Sequence, residues 1–191
     1  MGRQGSRNDT SWAADVAEVL LTEEQVQSRV AELAAELHED YCGREVLMVG
    51  VLTGAVVFLS DLIRYLRMPL CIDFVHLRSY WDGTVSSGKI EVVKDLSCPP
   101  RGRDILIIED IVDTGRTLAN LVQTLRERGA ASVRVCALLN KPSRRAVEIP
   151  LDYVGFDIPD VFVVGYGLDF AGQYRNLPCV AVLRPEAYIR A

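Results

Sequence analysis

The sequence predicts an α/β domain: a parallel twisted sheet flanked by helices, with a small strand-rich lobe at one edge. Three observations carry this reading. Short runs that are apolar almost throughout, at 45–51 and 105–108, read as strands buried on both faces. These runs alternate with stretches of helical, amphipathic period. After Asn140 the alternation stops, and further short apolar runs follow one another without helices between them.

Each element has its own signal. Residues 1–14 are polar and rich in Gly, Ser and Arg, and read as a flexible tail. Thr22 and Gln25 fit a capping box, and Val26, Val30, Leu33 and Leu37 form one apolar stripe that Gly43 ends. A strand over 45–51 meets the turn Leu52-Thr53-Gly54, then a helix runs from Ala55 to about Arg67, closed by Pro69. Residues 70–80 read as a strand, 81–88 as a polar, Gly-punctuated loop, and 89–94 as a short strand. A stiff Pro-Pro loop follows, and the apolar run 105–108 leads at once to Glu109 and Asp110. Leu118, Leu121, Val122 and Leu125 mark a helix over 117–128 that Gly129 ends. Further strands are expected at 132–139, 152–157, 161–164 and 179–183. The domain reading is a tail (1–14) and one domain (15–191), with its core at about 43–140. The lobe is mainly 141–191 plus the N-terminal segment.

Composition narrows the function. At 49% hydrophobic and 25% charged, the 191 residues suit a folded globular chain. Acidic residues number 26 against 21 basic, a net charge of −5, which disfavours a nucleic-acid or anionic-membrane partner. Residues 1–14 hold no apolar signal core, and the longest apolar stretch, 46–59, is too short to span a bilayer. Cys42, Cys71, Cys98, Cys136 and Cys179 are odd in number and scattered without a CxxC pair. Five buried free thiols in a reducing cytoplasm are expected, rather than disulfides or zinc.

The chemistry concentrates in Ile107-Ile108-Glu109-Asp110-Ile111-Val112-Asp113-Thr114-Gly115-Arg116-Thr117. A buried strand runs into three carboxylates, a Thr-Gly-Arg-Thr turn and a helix. Ligands of open α/β sheets sit at such strand ends. The turn's amides, hydroxyls and helix N-terminus make an anion site. Vicinal carboxylates beside it suit a sugar's adjacent hydroxyls, or Mg²⁺ bridging to the ligand. Three acids together repel, so a ligand or cation is expected to offset them, with Asp113 raised toward a value useful for proton transfer. The near-match to a nucleotide P-loop at 83–90 ends in Ile90 where Ser or Thr is needed. His38 and His76 lie far from these motifs.

The segment resembles the phosphoribosyl-pyrophosphate signature of the type I phosphoribosyltransferases, and the likeness covers roughly residues 20 to 190. Leu52-Thr53-Gly54 resembles the family's pyrophosphate loop, and Ser79-Tyr80 the start of its lid. Lys141-Pro142 and the run 154–178, including Phe162-Val163-Val164-Gly165-Tyr166-Gly167-Leu168-Asp169 and Tyr174-Arg175-Asn176-Leu177-Pro178, resemble the 6-oxopurine branch.

The resemblance implies the family fold with a small hood, and a set of roles. Glu109 and Asp110 would hold the ribose hydroxyls and lie near Mg²⁺. Asp113 would be the general base facing purine N7. Thr114, Gly115, Arg116 and Thr117 would bind the 5′-phosphate, with Asp113 bordering it. Thr53, Gly54 and Arg175 would bind pyrophosphate. Lys141 would donate to the purine 6-oxygen, Phe162 would stack on the base, and Val163 would read its edge. Asp169 would border the purine and help place a second Mg²⁺, and Ser79 and Tyr80 would close over the site. The family often carries Lys or Arg where this chain has Thr53, and tends to hold a cis peptide before it.

The implied activity transfers phosphoribosyl from phosphoribosyl pyrophosphate to hypoxanthine, and to guanine, with Mg²⁺. It would operate in a cytoplasmic homodimer or homotetramer without nucleic acid or membrane. The rival is a regulatory nucleotide- or RNA-binding protein on the same fold. The complete carboxylate set and Lys141 argue for catalysis.

Overall fold

The structure, a computed structural model, describes residues 12–82 and 85–189, with the side chains of 79–82 and 85–90 outside the description. Strand β1 (Val16–Leu21) leads to helix α1 (Glu23–Asp40), β2 (Val46–Leu52) and α2 (Val56–Tyr65). Next come β3 (Leu70–Asp82), β4 (Val85–Lys94), β5 (Asp104–Val112) and α3 (Arg116–Glu127). Strands β6 (Ser132–Asn140), β7 (Tyr153–Asp157) and β8 (Val180–Leu183) complete the chain.

The six-stranded sheet runs β4-β3-β2-β5-β6-β7, parallel except for the antiparallel β3–β4 edge. Alternation within the apolar runs explains why they are apolar at every position. On β5, Leu106 and Ile108 face one core with Val26, Leu33 and Leu37 of α1 and Phe58 and Leu62 of α2. Ile105 and Ile107 face the other core, with Leu118, Leu121, Val122 and Leu125 of α3. Period two along the strand puts one hydrophobic set on each side, and helices cover both.

Beta2 pairs with both β3 and β5, so the crossovers α2 and α3 leave this pair in opposite directions. Their carboxyl ends therefore bound a crevice at a switch in strand order. The capping box at Thr22 is present. Its hydroxyl accepts from the Gln25 amide at 3.3 Å, and the Gln25 side chain accepts from the Thr22 amide at 2.8 Å.

Several expectations are corrected. The polar loop expected over 81–88 is instead largely strand, because β3 and β4 pair onward through Trp81↔Ser86 and Asp82↔Val85. The Asp82-Gly83 dipeptide, flanked by the strand-forming residue types Tyr80, Trp81, Thr84 and Val85, is a hairpin signal that outweighs the polarity. The strand expected at 161–164 reduces to one bridge, Val164↔Ala181. Gly165, Tyr166 and Gly167 all take positive φ (95°, 50° and 102°), which breaks the ladder at once. Beta1, not foreseen, pairs antiparallel with β8 and forms a separate two-stranded sheet over Val16, Leu177, Cys179 and Leu183. The cysteines are all free, but only Cys136 and Cys179 are buried; Cys42 is exposed, and Cys71, near the start of β3, and Cys98, in the loop before β5, are half-buried.

Removing the α1 cap tests the local reading. Thr22→Ala should lower unfolding free energy by about 1 kcal/mol in a denaturant titration. An unchanged midpoint would show that the box carries no stability.

Candidate active site

Three chain segments meet where β2 and β5 end. The first is Leu52-Thr53-Gly54, whose Leu52–Thr53 peptide is cis and whose Thr53 is exposed. The second is Glu109-Asp110. The third is the turn at 165–169. A Cβ on Gly54 would overlap Asp110 Oδ2, and a Cβ on Gly167 would overlap the Gly54 carbonyl oxygen. Gly54 is thus clasped between a carboxylate and a second glycine, at approaches no side chain permits.

Burial governs the two inward carboxylates. Glu109 is buried, its Oε2 has no hydrogen-bond partner among the described residues, and burial, aided by the Asp110 charge, raises its carboxyl well above the usual range. Asp110 is pushed up to about 6, chiefly by burial and further by Asp169; the Ile111 amide and Arg175 pull the other way. An orphaned carboxylate oxygen beside a second acid suits a hard cation or a ligand hydroxyl. Among the described residues no group of three or more His, Cys, Asp or Glu could hold a metal ion. A Mg²⁺ ion here would take its remaining oxygens from the ligand and water.

The turn after β5 is built by close contact as well. Gly115 has φ +78°, and a Cβ there would stand 2.8 Å from the Val147 carbonyl oxygen. Thr114 O accepts from the Ala146 and Val147 amides, both at 3.1 Å, while Lys141 N donates to Val112 O at 3.0 Å. The 141–147 segment is therefore pinned along the strand end. Gly115 caps α3 without a side-chain hydrogen bond, and the positive end of the helix dipole lies at Arg116 and Thr117.

Asp113 departs from expectation. It does not share the Glu109–Asp110 environment. It is half-exposed, and Arg144 Nε donates to its Oδ1 at 3.0 Å. The physical reason is strand geometry at the end of β5: the chain leaves the sheet at Val112, so Asp113 turns outward with the loop. Repulsion among the acids is relieved by burial at two of them and by an arginine at the third.

Of the remaining candidates, Asp169 and Arg175 act electrostatically on Asp110. Lys141 is only 7% exposed, with Nζ 3.9 Å from Asp160 Oδ1. Phe162 is 50% exposed, and Phe170 and Tyr188 each meet it edge-on with centroids 5.9 Å away. Val163 is buried. Arg175 Nη1 donates to Gly167 O at 2.6 Å and Nη2 pairs with Asp169 Oδ1 at 2.7 Å; Asp169 Oδ2 accepts from the Gly172 amide. The backbones of Ser79 and Tyr80 lie in β3, but their side chains fall outside the described residues. Sequence reasoning missed Arg144 and Gly167. Arg144 lies three residues after Lys141 in a basic run, the one signal that could have paired it with an acid.

The raised carboxyl gives a pH test on ligand-free, metal-free protein. A group whose folded pKa is raised stabilises the fold below its unfolded value, and that contribution is lost as pH rises through the folded value. For Asp110 the window runs from its ordinary 3.8 up to about 6. Asp110→Asn should melt higher than wild type above that window and converge with it below. Parallel Tm curves would contradict the burial assignment.

Comparison with known proteins agrees with this architecture. Residues 17–171 match the phosphoribosyl transferase domain family. The hypoxanthine-guanine phosphoribosyltransferase of Bacillus subtilis is 50% identical over 174 residues, covering 91% of this chain and 97% of that protein. The bifunctional protein TilS/HprT of Listeria monocytogenes is also 50% identical over 174 residues, but this chain spans 27% of that longer protein's length. The crystal structure of a hypoxanthine phosphoribosyltransferase from Staphylococcus aureus superposes with a TM-score of 0.90 at 45% identity, covering 95% of this chain and 98% of that one. With the family matched over most of its length and a half-identical relative matched nearly end to end, the chain belongs to the phosphoribosyltransferase family.

Proposed function

We propose that the chain makes purine nucleotides by salvage. It transfers phosphoribosyl from phosphoribosyl pyrophosphate to hypoxanthine, and to guanine, giving IMP or GMP and pyrophosphate. The observation that carries the choice of base is Lys141. The Lys141 side chain is only 8% exposed, and its ammonium stands 3.9 Å from its nearest carboxylate, beyond hydrogen-bond distance, which leaves it able to take a further acceptor. The 6-oxygen of hypoxanthine or guanine is one; the 6-amino group of adenine is a donor and would leave both groups unmatched.

The other residues divide the work. Thr114, Gly115, Arg116 and Thr117, at the start of α3, receive the 5′-phosphate. Glu109 and Asp110 accept from the ribose hydroxyls, and their raised carboxyls ionise readily beside a cation. Thr53 and Gly54 offer amides to pyrophosphate. Arg175, anchored by Gly167 O and Asp169, holds its remaining N–H groups for the same anion. Phe162, with its ring half-exposed, stacks on the base while Val163 backbone groups meet its edge. Asp113 accepts the proton from purine N7 as N9 bonds to the anomeric carbon and the carbon–pyrophosphate bond breaks. Mg²⁺, held by Glu109, Asp110 and Asp169 through ligand oxygens, would neutralise the departing pyrophosphate. Ser79 and Tyr80 complete the reading as a lid that excludes water.

The same reading places a homodimer or homotetramer in the cytoplasm. Five unpaired cysteines support a reducing compartment. Among the described residues no helix is long and apolar enough to cross a membrane.

Product formation tests the reading. With phosphoribosyl pyrophosphate and Mg²⁺, hypoxanthine and guanine should be converted and adenine rejected by ~10⁴-fold or more; equal use of adenine would overturn the Lys141 assignment. Asp113→Asn should lower kcat by ~10²–10⁴-fold. An unchanged kcat with a poorer KM would leave Asp113 a binding group only.

A further inference from the structure

The segment that presents Lys141 also presents a second cation, and the two share one acid. Arg144 Nε stands 3.0 Å from Asp113 Oδ1 and 3.7 Å from Asp160 Oδ1, and Lys141 Nζ stands 3.9 Å from the same Asp160 oxygen. The four groups form a chain of alternating charge: Lys141, Asp160, Arg144, Asp113. We propose that Arg144, bridging Asp160 and Asp113, is a positioning residue that sets the spacing between the group reading the purine 6-oxygen and the group reading N7.

This inference rests on the function proposed above. The 6-oxygen and N7 lie side by side on one edge of the base. Recognising both needs an ammonium and a carboxylate held at a fixed separation. Lys141 is fixed by burial and by its backbone N–H, which donates to Val112 O. Asp113 is half-exposed, and its carboxylate has no other hydrogen-bond partner among the described residues. Left alone it would sample several rotamers and lose that freedom on binding the base.

Arg144 removes the freedom beforehand. Its own backbone is held at both ends of the turn, by Arg144 N to Lys141 O at 3.1 Å and by the Ala146 and Val147 amides on Thr114 O. Its guanidinium takes Oδ1 of Asp113 and leaves Oδ2 for the N7 proton. Asp160 Oδ1 faces the same Nε at 3.7 Å and Lys141 Nζ at 3.9 Å, which ties Lys141 to the same frame. An exposed ion pair adds little stability, so the contribution lies in orientation rather than in holding the fold.

Steady-state kinetics on Arg144→Gln, Arg144→Lys, Asp160→Asn and the double variant Arg144→Gln/Asp160→Asn test this. Ordering one side chain in advance corresponds to roughly 3- to 10-fold in binding. Arg144→Gln should lower kcat/KM for hypoxanthine by about that factor, leaving KM for phosphoribosyl pyrophosphate and Tm unmoved. Arg144→Lys should recover part of the loss, because an ammonium supplies the charge that faces both acids but not the fixed planar N–H that Nε directs at Asp113. The double variant should be no worse than the poorer single variant. Unchanged hypoxanthine efficiency, an equal rise in KM for both substrates, or fully additive losses would overturn the proposal. Wild-type protein that forms no IMP would overturn the function and this inference together. Wild-type protein that forms IMP alongside an indifferent Arg144→Gln would overturn this inference alone.

Discussion

The close approach of a carboxylate and a second backbone to Gly54 is the constraint on which the rest of the site depends. Its Cα side is filled by the Asp110 carboxylate, and its carbonyl abuts Gly167. A Cβ at Gly167 would strike the Gly54 backbone, and one at Gly54 would force the Asp110 carboxylate to move. The contact is possible because β2 and β5 are neighbours whose crossovers diverge, which opens the sheet at its carboxyl edge. Closing the 165–169 turn over that edge brings Asp169 and Arg175 to the pair Glu109–Asp110. Elements far apart in sequence thereby share one crevice.

Electrostatics in that crevice follow from depth. A chain of net charge −5 is a poor match for a polyanion unless its acids are muted where the ligand sits. Glu109 and Asp110 are muted by burial, which favours their protonated forms until a cation or hydroxyl arrives. Asp113, nearer the surface, keeps an arginine instead. Lys141, Arg144 and Arg175 each face an acid already in the site, so the cations are held in place rather than left to solvent. The positive end of the α3 dipole adds a field without a mobile charge.

Local rules made much of this legible. The capping box at Thr22, the apolar strand into Glu109-Asp110 and the Gly115 turn depend on neighbours within a few residues, and the structure carries all three. The misses are of another kind. Val161–Val164 carries strand-forming residues, but the positive φ angles that follow, set by packing Gly167 on Gly54, end the pairing. Beta1 is stabilised by β8, at the far end of the chain. Three acids within five positions look like one cluster until the sheet's edge sends Asp113 outward to meet Arg144, 31 residues on. Periodicity and spacing report what a segment prefers; they do not report which distant segment it meets.

Gly54→Ala probes the contact between Gly54 and Asp110, by phosphoribosyl pyrophosphate binding and IMP formation on protein shown by circular dichroism to be folded. The added methyl must displace the Asp110 carboxylate, and a shift of about 1 Å at a positioned group costs on the order of 10²-fold in rate. A folded variant with at least that loss of turnover and weakened phosphoribosyl pyrophosphate binding is expected. A folded variant that binds and turns over like wild type would contradict it.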